Sequence, residues 1–275
     1  MIRESAHGPT IAPPPAPVDA AVLIRRVETL AEYRECVALQ EATWGEGFSE
    51  RVPSSVLLVT QKLGGVVAAA FAPPPDGRIL GFVFGMTGVM DGRLVHWSDL
   101  LAVRPEARGA GIGELLKRYQ RALVRAIGVE TMRWTFDPLV ARNAHLNLTR
   151  LGARVAEYVE DMYGGETGSP LHGAIGTDRL IVEWDVPAAG GDAAVGSGPE
   201  PRPRGGDARD VVRIEVPPDI HALLARDPDA AVAWRRETRA AFRRHLDEGR
   251  RVVAFDGGRD AARPAYLLAP RDLTD

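Results

Sequence analysis

The sequence has little cysteine and almost no net charge. Cys36 is its one cysteine, which excludes an internal disulfide and favours a buried thiol in a reducing, cytoplasmic setting. A net charge of −3 over 275 residues provides no global field for nucleic acid or an anionic membrane, so we expect neither as a partner. Residues 1–20 are rich in proline and contain no apolar run long enough for a signal segment or a membrane span. We interpret them as a disordered tail.

Composition divides the rest of the chain into three parts. Hydrophobic residues make up 45% of the sequence, enough to bury a core as one large domain or two small ones. Residues 21–186 predict a mixed α/β unit, 187–210 are rich in glycine and proline and predict a flexible linker, and 211–275 predict a C-terminal α/β extension. We expect the extension to pack on the first unit, because about sixty residues with few large apolar side chains are marginal alone.

Alternation and helical periodicity predict the element order β-α-α-β-β-β-α-β-α-β-β for residues 21–186. Thr29 and Glu32 predict a capping box that opens the first helix. The segment from Gly85 to Gly92 is interpreted as a turn into a strand at Arg93. The extension has the order β-α-α-β-β, which leaves two alternatives open: a degenerate half repeat of residues 21–84, or an extension that widens the sheet. Its long helix has an apolar face with Trp234, Phe242 and Leu246, and we expect this face to dock on the first unit.

A glycine-rich turn follows the predicted strand that ends at Val103. The residues after the turn, up to Gly128, have the apolar spacing of an amphipathic helix. Gly109, Gly111 and Gly113 let the chain turn tightly, and the first N–H groups of a helix have no internal partner. This combination suits a phosphate. The alternative is a strand-to-helix turn without a ligand.

Two common phosphate-binding motifs do not fit this turn. A P-loop needs Gly-Lys-Ser/Thr, but Glu114 follows Gly113. The dinucleotide fingerprint needs G-x-G-x-x-G, but the three glycines are spaced G-x-G-x-G. Arg108-x-x-Gly111-x-Gly113 instead resembles the Arg/Gln-x-x-Gly-x-Gly/Ala loop that binds the coenzyme A pyrophosphate in GCN5-related N-acetyltransferases (GNAT). The preceding strand end, 101–105, agrees with the family's apolar-x-Val-x-Pro run.

The resemblance implies a GNAT-type mixed central sheet flanked by helices, with acetyl-CoA as co-substrate and no metal. The implied activity is direct transfer of an acetyl group to the amine of a small molecule or amino acid. Residues 134–139, with Asn143 and Asn147, also resemble a subgroup of predicted acetyltransferases. The implied coenzyme-binding residues are Leu101, Ala102, Val103, Arg108, Gly109, Ala110, Gly111, Ile112, Gly113 and Asn143.

Several residues are candidates for proton transfer. A general base is sought among His96, Asp99 and Asp137, which lie on the strand before the turn and at the end of the next strand. Alternation puts His96 and Asp99 on opposite faces, so only one of them can face the acceptor. The resemblance implies an oxyanion donor among the backbone N–H groups near 101–103.

The general acid that the family commonly uses is absent. It is a tyrosine four residues before the glycine that ends the helix, and Leu148 occupies that position. Tyr158 and Tyr163 are the nearest substitutes.

Three rival interpretations remain open. The first is a coenzyme A binding or sensing domain without catalysis. The second is an acyltransferase with a larger donor such as succinyl-CoA, which would need a cation such as Arg142 or Arg179 near the thioester. The third is an interaction surface formed by the arginines of the last long helix, between Arg235 and Arg244. A homodimer is also left open.

Overall fold

The computed structural model describes residues 22–164, 167–187, 210–257 and 263–271. The predicted tail at 1–20 and nearly all of the predicted linker at 187–210 lie outside these ranges. The strands are β1 Leu23–Arg26, β2 Val66–Phe71, β3 Ile79–Met90, β4 Arg93–Val103, β5 Thr131–Phe136, β6 Arg154–Val159, β7 Arg179–Asp185, β8 Val212–Glu215, β9 Arg250–Asp256 and β10 Ala265–Pro270. The helices are α1 Leu30–Trp44, α2 Ser54–Lys62, α3 Ile112–Arg125, α4 Ala141–Ala144, α5 Ile220–Arg226 and α6 Pro228–Asp247.

The first unit has the predicted element order and forms a seven-stranded sheet in the order β1-β2-β3-β4-β5-β7-β6. Every neighbouring pair is antiparallel except β4 and β5, which are parallel. The predicted capping box is confirmed, since Glu32 N–H donates to Thr29 Oγ1 and Glu32 accepts from Thr29 N–H. Helices α1 and α2 cover one face of the sheet, where Cys36 is buried as predicted, and α3 covers the other face. The predicted mixed sheet flanked by helices is therefore confirmed.

Strand β4 is bulged and separates from β5. Its pairing with β3 shifts between Phe84–Leu100 and Gly85–Ser98, so Asp99 is the extra residue of a β-bulge. Its pairing with β5 covers only Val95–Trp97. Beyond that point the two strands leave a wedge, which we call the β4–β5 opening, between residues 98–103 and 134–136.

The interpretation of Gly85 to Gly92 as a turn is wrong. Strand β3 continues to Met90 and pairs with β4 from Gly81 to Met90, and the chain reverses only at Asp91 and Gly92. Both of these residues have positive φ, 52° and 75°. The glycines favour a turn locally, but pairing with β4 overrides that weak preference.

Position 85 requires a glycine because neighbouring atoms leave no room for a side chain. A Cβ at Gly85 would lie 2.4 Å from His96 Nε2 and 2.6 Å from the Trp97 carbonyl oxygen. We expect Gly85→Ala to lower the free energy of unfolding by about 2 kcal/mol, as overpacking typically does. Gly88→Ala is the matched control, since it lies on the same strand with no atom within 4 Å of its Cβ position. Urea unfolding measures both variants. Equal stability of the two would contradict the packing shown for Gly85.

The extension forms its own three-stranded sheet, in the order β8-β10-β9, and does not widen the large sheet. Its third strand is central, whereas β2 is central in β1-β2-β3, so the strand order also differs from that of a half repeat. Phe242 of α6 is fully buried and stacks on Tyr158, with ring centroids 5.0 Å apart. Tyr266 donates a hydrogen bond to the Pro138 carbonyl, at 2.8 Å. The expected docking role of Trp234 is wrong, because Trp234 is half-buried and outside the core cluster that holds Phe242.

Three arginines of α6 face the first unit. Arg235 pairs with Asp137 at 2.6 Å, Arg239 pairs with Asp178 and with Asp161, and Arg243 Nε lies 3.3 Å from Glu160. These arginines therefore hold the extension in place. The interpretation of the whole series as an interaction surface for another molecule is wrong, since three of its members are used within the chain.

Candidate active site

The glycine turn forms an uncapped helix start. After β4 the chain makes a short 3₁₀ turn, Pro105–Ala107, and α3 begins at Ile112 with Gly111 as its N-cap. Gly109 and Gly111 have φ of 86° and 76°, a region that favours glycine. The N-cap provides no side-chain acceptor for the first amides of α3, and the Cβ position of Gly111 has no atom within 4 Å. An open, uncapped helix N-terminus of this kind binds anions.

Two guanidinium groups lie near this turn. Arg108 Nε donates to the Val103 carbonyl at 3.1 Å, which holds the side chain against the end of β4. Arg142 is the second residue of α4, and its pKa is lowered by burial and by the charge of Arg108. Leu146, one turn after Arg142, has its Cδ2 3.7 Å from the Cβ position of Gly113. Half-buried Asn143 is on the same helix, so the structure brings the predicted coenzyme-binding residues to one region.

Asp99 projects from the bulge on the side of the sheet that α1 and α2 cover. Its side chain is exposed, yet neighbouring groups exclude enough water to raise the pKa of its carboxyl. A hydrogen bond with Trp97 acts against this rise, and the charge of Glu50 adds to it. A raised pKa suits a carboxylate that must take up a proton and release it again.

His96 lies on the opposite face, beneath α3, and is fully buried. Its Nε2 is 3.0 Å from Gln120 Nε2 and its Nδ1 is 2.9 Å from Thr87 Oγ1. Burial, assisted by the charge of Lys117, lowers the pKa of His96 to about 3. Both nitrogens are occupied, and the structure does not bring the ring to the face of Asp99.

Asp137 and Tyr158 lie where the extension docks. Asp137 is buried, accepts from Leu139 N–H at 2.8 Å and pairs with Arg235 at 2.6 Å. The Tyr158 hydroxyl donates to Asp178, and burial together with that hydrogen bond raises its pKa. The structure therefore gives both residues partners in the docking region, away from the bulge.

Three further residues named in the sequence analysis have defined surroundings in the structure. Leu148 is buried in a π-helical turn, His145–Arg150, that continues α4. The exposed Tyr163 has its hydroxyl 3.1 Å from Thr135 Oγ1 on β5. Arg179 is buried with its guanidinium 2.9 Å from His172 Nε2.

Sequence reasoning missed Lys117. This residue of α3 is buried beneath the β4–β5 opening, whereas the predicted apolar stripe of the helix leaves it out. A lysine on an amphipathic helix is ordinarily a solvent-facing residue. Only the packing of α3 on the bulged strand shows that it lies inside.

No family model and no curated protein matches the chain. Solved structures do match it. Ard1 from Thermoplasma volcanium is 13% identical, with 61% of this chain and 99% of that chain covered and a TM-score of 0.47. The ribosomal-protein-S18-alanine N-acetyltransferase from Escherichia coli is 16% identical, with 63% and 99% covered and a TM-score of 0.45. The putative acetyltransferase yncA from Salmonella typhimurium, solved with its cofactor acetyl-CoA, is 18% identical, with 63% and 99% covered and a TM-score of 0.44.

These likenesses concern the fold alone. The element order and the glycine turn before α3 are those that the GNAT resemblance predicts. No helix in the described ranges is long and apolar enough to cross a bilayer.

Proposed function

We propose that the protein is an acyl-CoA-dependent N-acyltransferase of the GNAT type, with acetyl-CoA as the simplest donor and a small amine or amino acid as acceptor. One observation carries this proposal. Strand β4 has the anion-binding helix start at its carboxyl end, the β4–β5 opening along its free edge and Asp99 at its bulge. A donor held by its phosphates and an acceptor near Asp99 would therefore meet at one strand.

Residues of this chain fit the parts of coenzyme A. The first amides of α3, with Arg108 and Arg142, would bind the pyrophosphate. The arm of the coenzyme would follow β4 into the opening, and when bound it supplies the thioester that reacts. Backbone N–H groups of residues 101–103 that β5 does not pair would donate to the carbonyl oxygen as negative charge develops on it.

Asp99 would take the proton that the acceptor amine releases. An α-amine has a pKa of about 8 and is partly neutral at pH 7, whereas neutralising a lysine-type amine would cost about 4 to 5 kcal/mol. A single carboxylate with a raised pKa is sufficient for the first kind of acceptor. His96 is enclosed and Asp137 is paired with Arg235, so the base role is assigned to Asp99.

The direct test combines the full chain with acetyl-CoA and a panel of amino acids and small amines. Release of free thiol is followed over time, and the product is identified by mass spectrometry. Acylated amine that depends on both substrates is the expected result. Calorimetric binding of coenzyme A without any turnover would instead identify the non-catalytic alternative, and neither binding nor turnover would refute the proposal.

We expect Asp99→Asn to lower kcat/KM for the acceptor by about 100-fold, as loss of a general base typically does. Wild-type activity should decline as pH falls through the raised pKa of Asp99, and the variant should lack this acidic limb. The measurement is a pH profile of initial rates, with binding of coenzyme A as a control that should not change.

Glu50→Gln gives this prediction a matched comparison. The charge of Glu50 raises the pKa of Asp99, so its removal should move the acidic limb to lower pH without abolishing activity. An unchanged limb in both variants would assign the base role elsewhere.

A further inference from the structure

The chain uses lysine at only two positions. It has 34 lysines and arginines, and only Lys62 and Lys117 are lysines. Lys62 is exposed at the end of α2, whereas Lys117 is buried, with 2% of its surface accessible. Arginine keeps its proton in proteins, but a buried lysine can release one. Lys117 is therefore a buried basic group of the kind that can donate a proton.

Lys117 reaches the apex of the β4–β5 opening. Trp97 and Arg133 are the last paired residues of the two strands, and Ser98 and Trp134 are the next residue on each. Lys117 Nζ donates to Ser98 Oγ at 2.7 Å and lies 3.9 Å from the centre of the Trp134 ring. The ammonium group thus touches both strands at the first point where they no longer pair.

Hydrogen bonds near Nζ hold the Ser98 hydroxyl in a fixed orientation. Ser98 Oγ donates to Gln120 Oε1 at 2.7 Å, and Gln120 Nε2 is 3.0 Å from His96 Nε2. Two titratable groups on β4 interact electrostatically with Lys117. The charge of Asp99 raises the pKa of Lys117, and the charge of Lys117 lowers the pKa of His96. The residues that face it from β5 and from the π-helical turn are the uncharged Trp134 and, behind it, Asn147. Nζ therefore has a hydroxyl and an aromatic face as neighbours, with no carboxylate hydrogen-bonded to it in the described ranges.

We propose that Lys117 is the acid that protonates the departing thiolate of coenzyme A. This inference rests on the proposed function. The acceptor nitrogen forms a bond to the thioester carbon and its proton passes to Asp99. The carbon–sulfur bond then breaks with its electron pair on sulfur, and Nζ gives that sulfur a proton. Free coenzyme A leaves, Asp99 releases its proton to solvent, and solvent returns a proton to Lys117.

The chemistry of the apex supports this role. Lys117 lies on the α3 side of the sheet, as does the buried Leu148 that stands where the family has its tyrosine. Burial lowers the pKa of Lys117 well below the usual value of a lysine, so that the amine gives up its proton more readily than an exposed lysine does. A general acid works best when its pKa is lowered from the ordinary range of a lysine toward the operating pH.

The kinetic test compares Lys117→Met, Lys117→Arg and the control Lys62→Met. We expect Lys117→Met to lower kcat at least 10-fold with little change in KM for acetyl-CoA. The wild-type profile should decline at high pH as Lys117 loses its proton, and the Met variant should lack that limb. Lys117→Arg keeps a charge without a transferable proton and should remain slow, while Lys62→Met should match the wild type.

A second test observes the amine itself. With only two lysines, protein labelled with ¹³C-lysine gives two Cε signals, and Lys62→Met assigns them. We expect the Lys117 signal to titrate at lower pH than the Lys62 signal, and addition of coenzyme A to move the Lys117 signal alone. A Lys117 signal that ignores coenzyme A in a protein that binds it would overturn the proposal.

The outcomes separate this inference from the proposed function. Turnover by the wild type with an unchanged high-pH limb in Lys117→Met would overturn the inference alone. Absence of turnover in the wild type would overturn both. If Lys117→Met does not fold, Ser98→Ala replaces it, because loss of the hydroxyl that accepts from Nζ should shift the high-pH limb. An unshifted limb would then overturn the inference.

Discussion

Gly111→Asp is expected to weaken binding of coenzyme A by at least about 100-fold. The substitution places a carboxylate at the N-cap of α3, where the amides and the helix dipole would otherwise attract the pyrophosphate. Two unit charges 4 Å apart near a protein surface repel by about 4 kcal/mol, and tenfold in affinity corresponds to about 1.4 kcal/mol. Titration calorimetry with coenzyme A measures the change.

The chain offers a close control for this variant. Gly128 follows the other end of α3 with φ of 82° and, like Gly111, has no atom within 4 Å of its Cβ position. Gly128→Asp therefore carries similar backbone strain and the same charge, and should bind coenzyme A like the wild type. Gly111→Asn introduces a side chain of nearly the same shape as aspartate but without its charge, and should bind coenzyme A better than Gly111→Asp. Equal affinity of Gly111→Asp and Gly128→Asp would mean that the turn does not hold the pyrophosphate.

Arg235→Ala is expected to lower the free energy of unfolding by about 3 to 5 kcal/mol. Arg235 pairs with Asp137 at 2.6 Å and its Nε donates to the Ile175 carbonyl at 2.7 Å, and both charged side chains are buried. Loss of the arginine leaves the buried Asp137 carboxylate with only the more distant guanidinium of Arg179, at 3.8 Å, and removal of one member of an internal ion pair is costly. Thermal and urea unfolding should show one transition at a midpoint lowered by about 10 °C.

Two further variants make this expectation specific. Arg236 is the exposed neighbour on α6, and Arg236→Ala should change stability by less than about 0.5 kcal/mol. The double variant Asp137→Asn with Arg235→Met removes both charges and should regain part of the loss. Two separate unfolding transitions in the wild type would instead show that the extension and the first unit are independent, against the expectation of a single cooperative unit.

Local chemistry explains why much of the fold could be predicted. The element order of the first unit follows from alternation and helical spacing, and the capping box at Thr29 needs only residues three positions apart. The helix start at Gly111 is also local, because its glycines and the strand before it are adjacent in the chain. These local predictions survive folding because the tertiary contacts of the same residues agree with them.

The roles of individual charged residues could not be predicted in this way. Arg235 resembles the exposed Arg236 in sequence, and only the packing of α6 separates them. In the sequence, His96 and Asp99 are equal candidates for the general base. In the structure, Asp99 lies at the bulge in β4, whereas His96 is buried beneath α3. Whether a charged group is solvated or paired depends on residues far away in the chain, and that decides its chemistry.

The sequence by itself determined the glycine turn, the strand before it and the helix after it, because backbone geometry and periodicity are written in consecutive residues. Tertiary structure alone decided that β3 runs on to Met90, that the extension forms a separate sheet, and that Lys117 lies at the apex of the β4–β5 opening. Each of these depends on strand pairing or on burial between distant segments. Such contacts outweigh local preferences, which differ by only about 1 kcal/mol per residue.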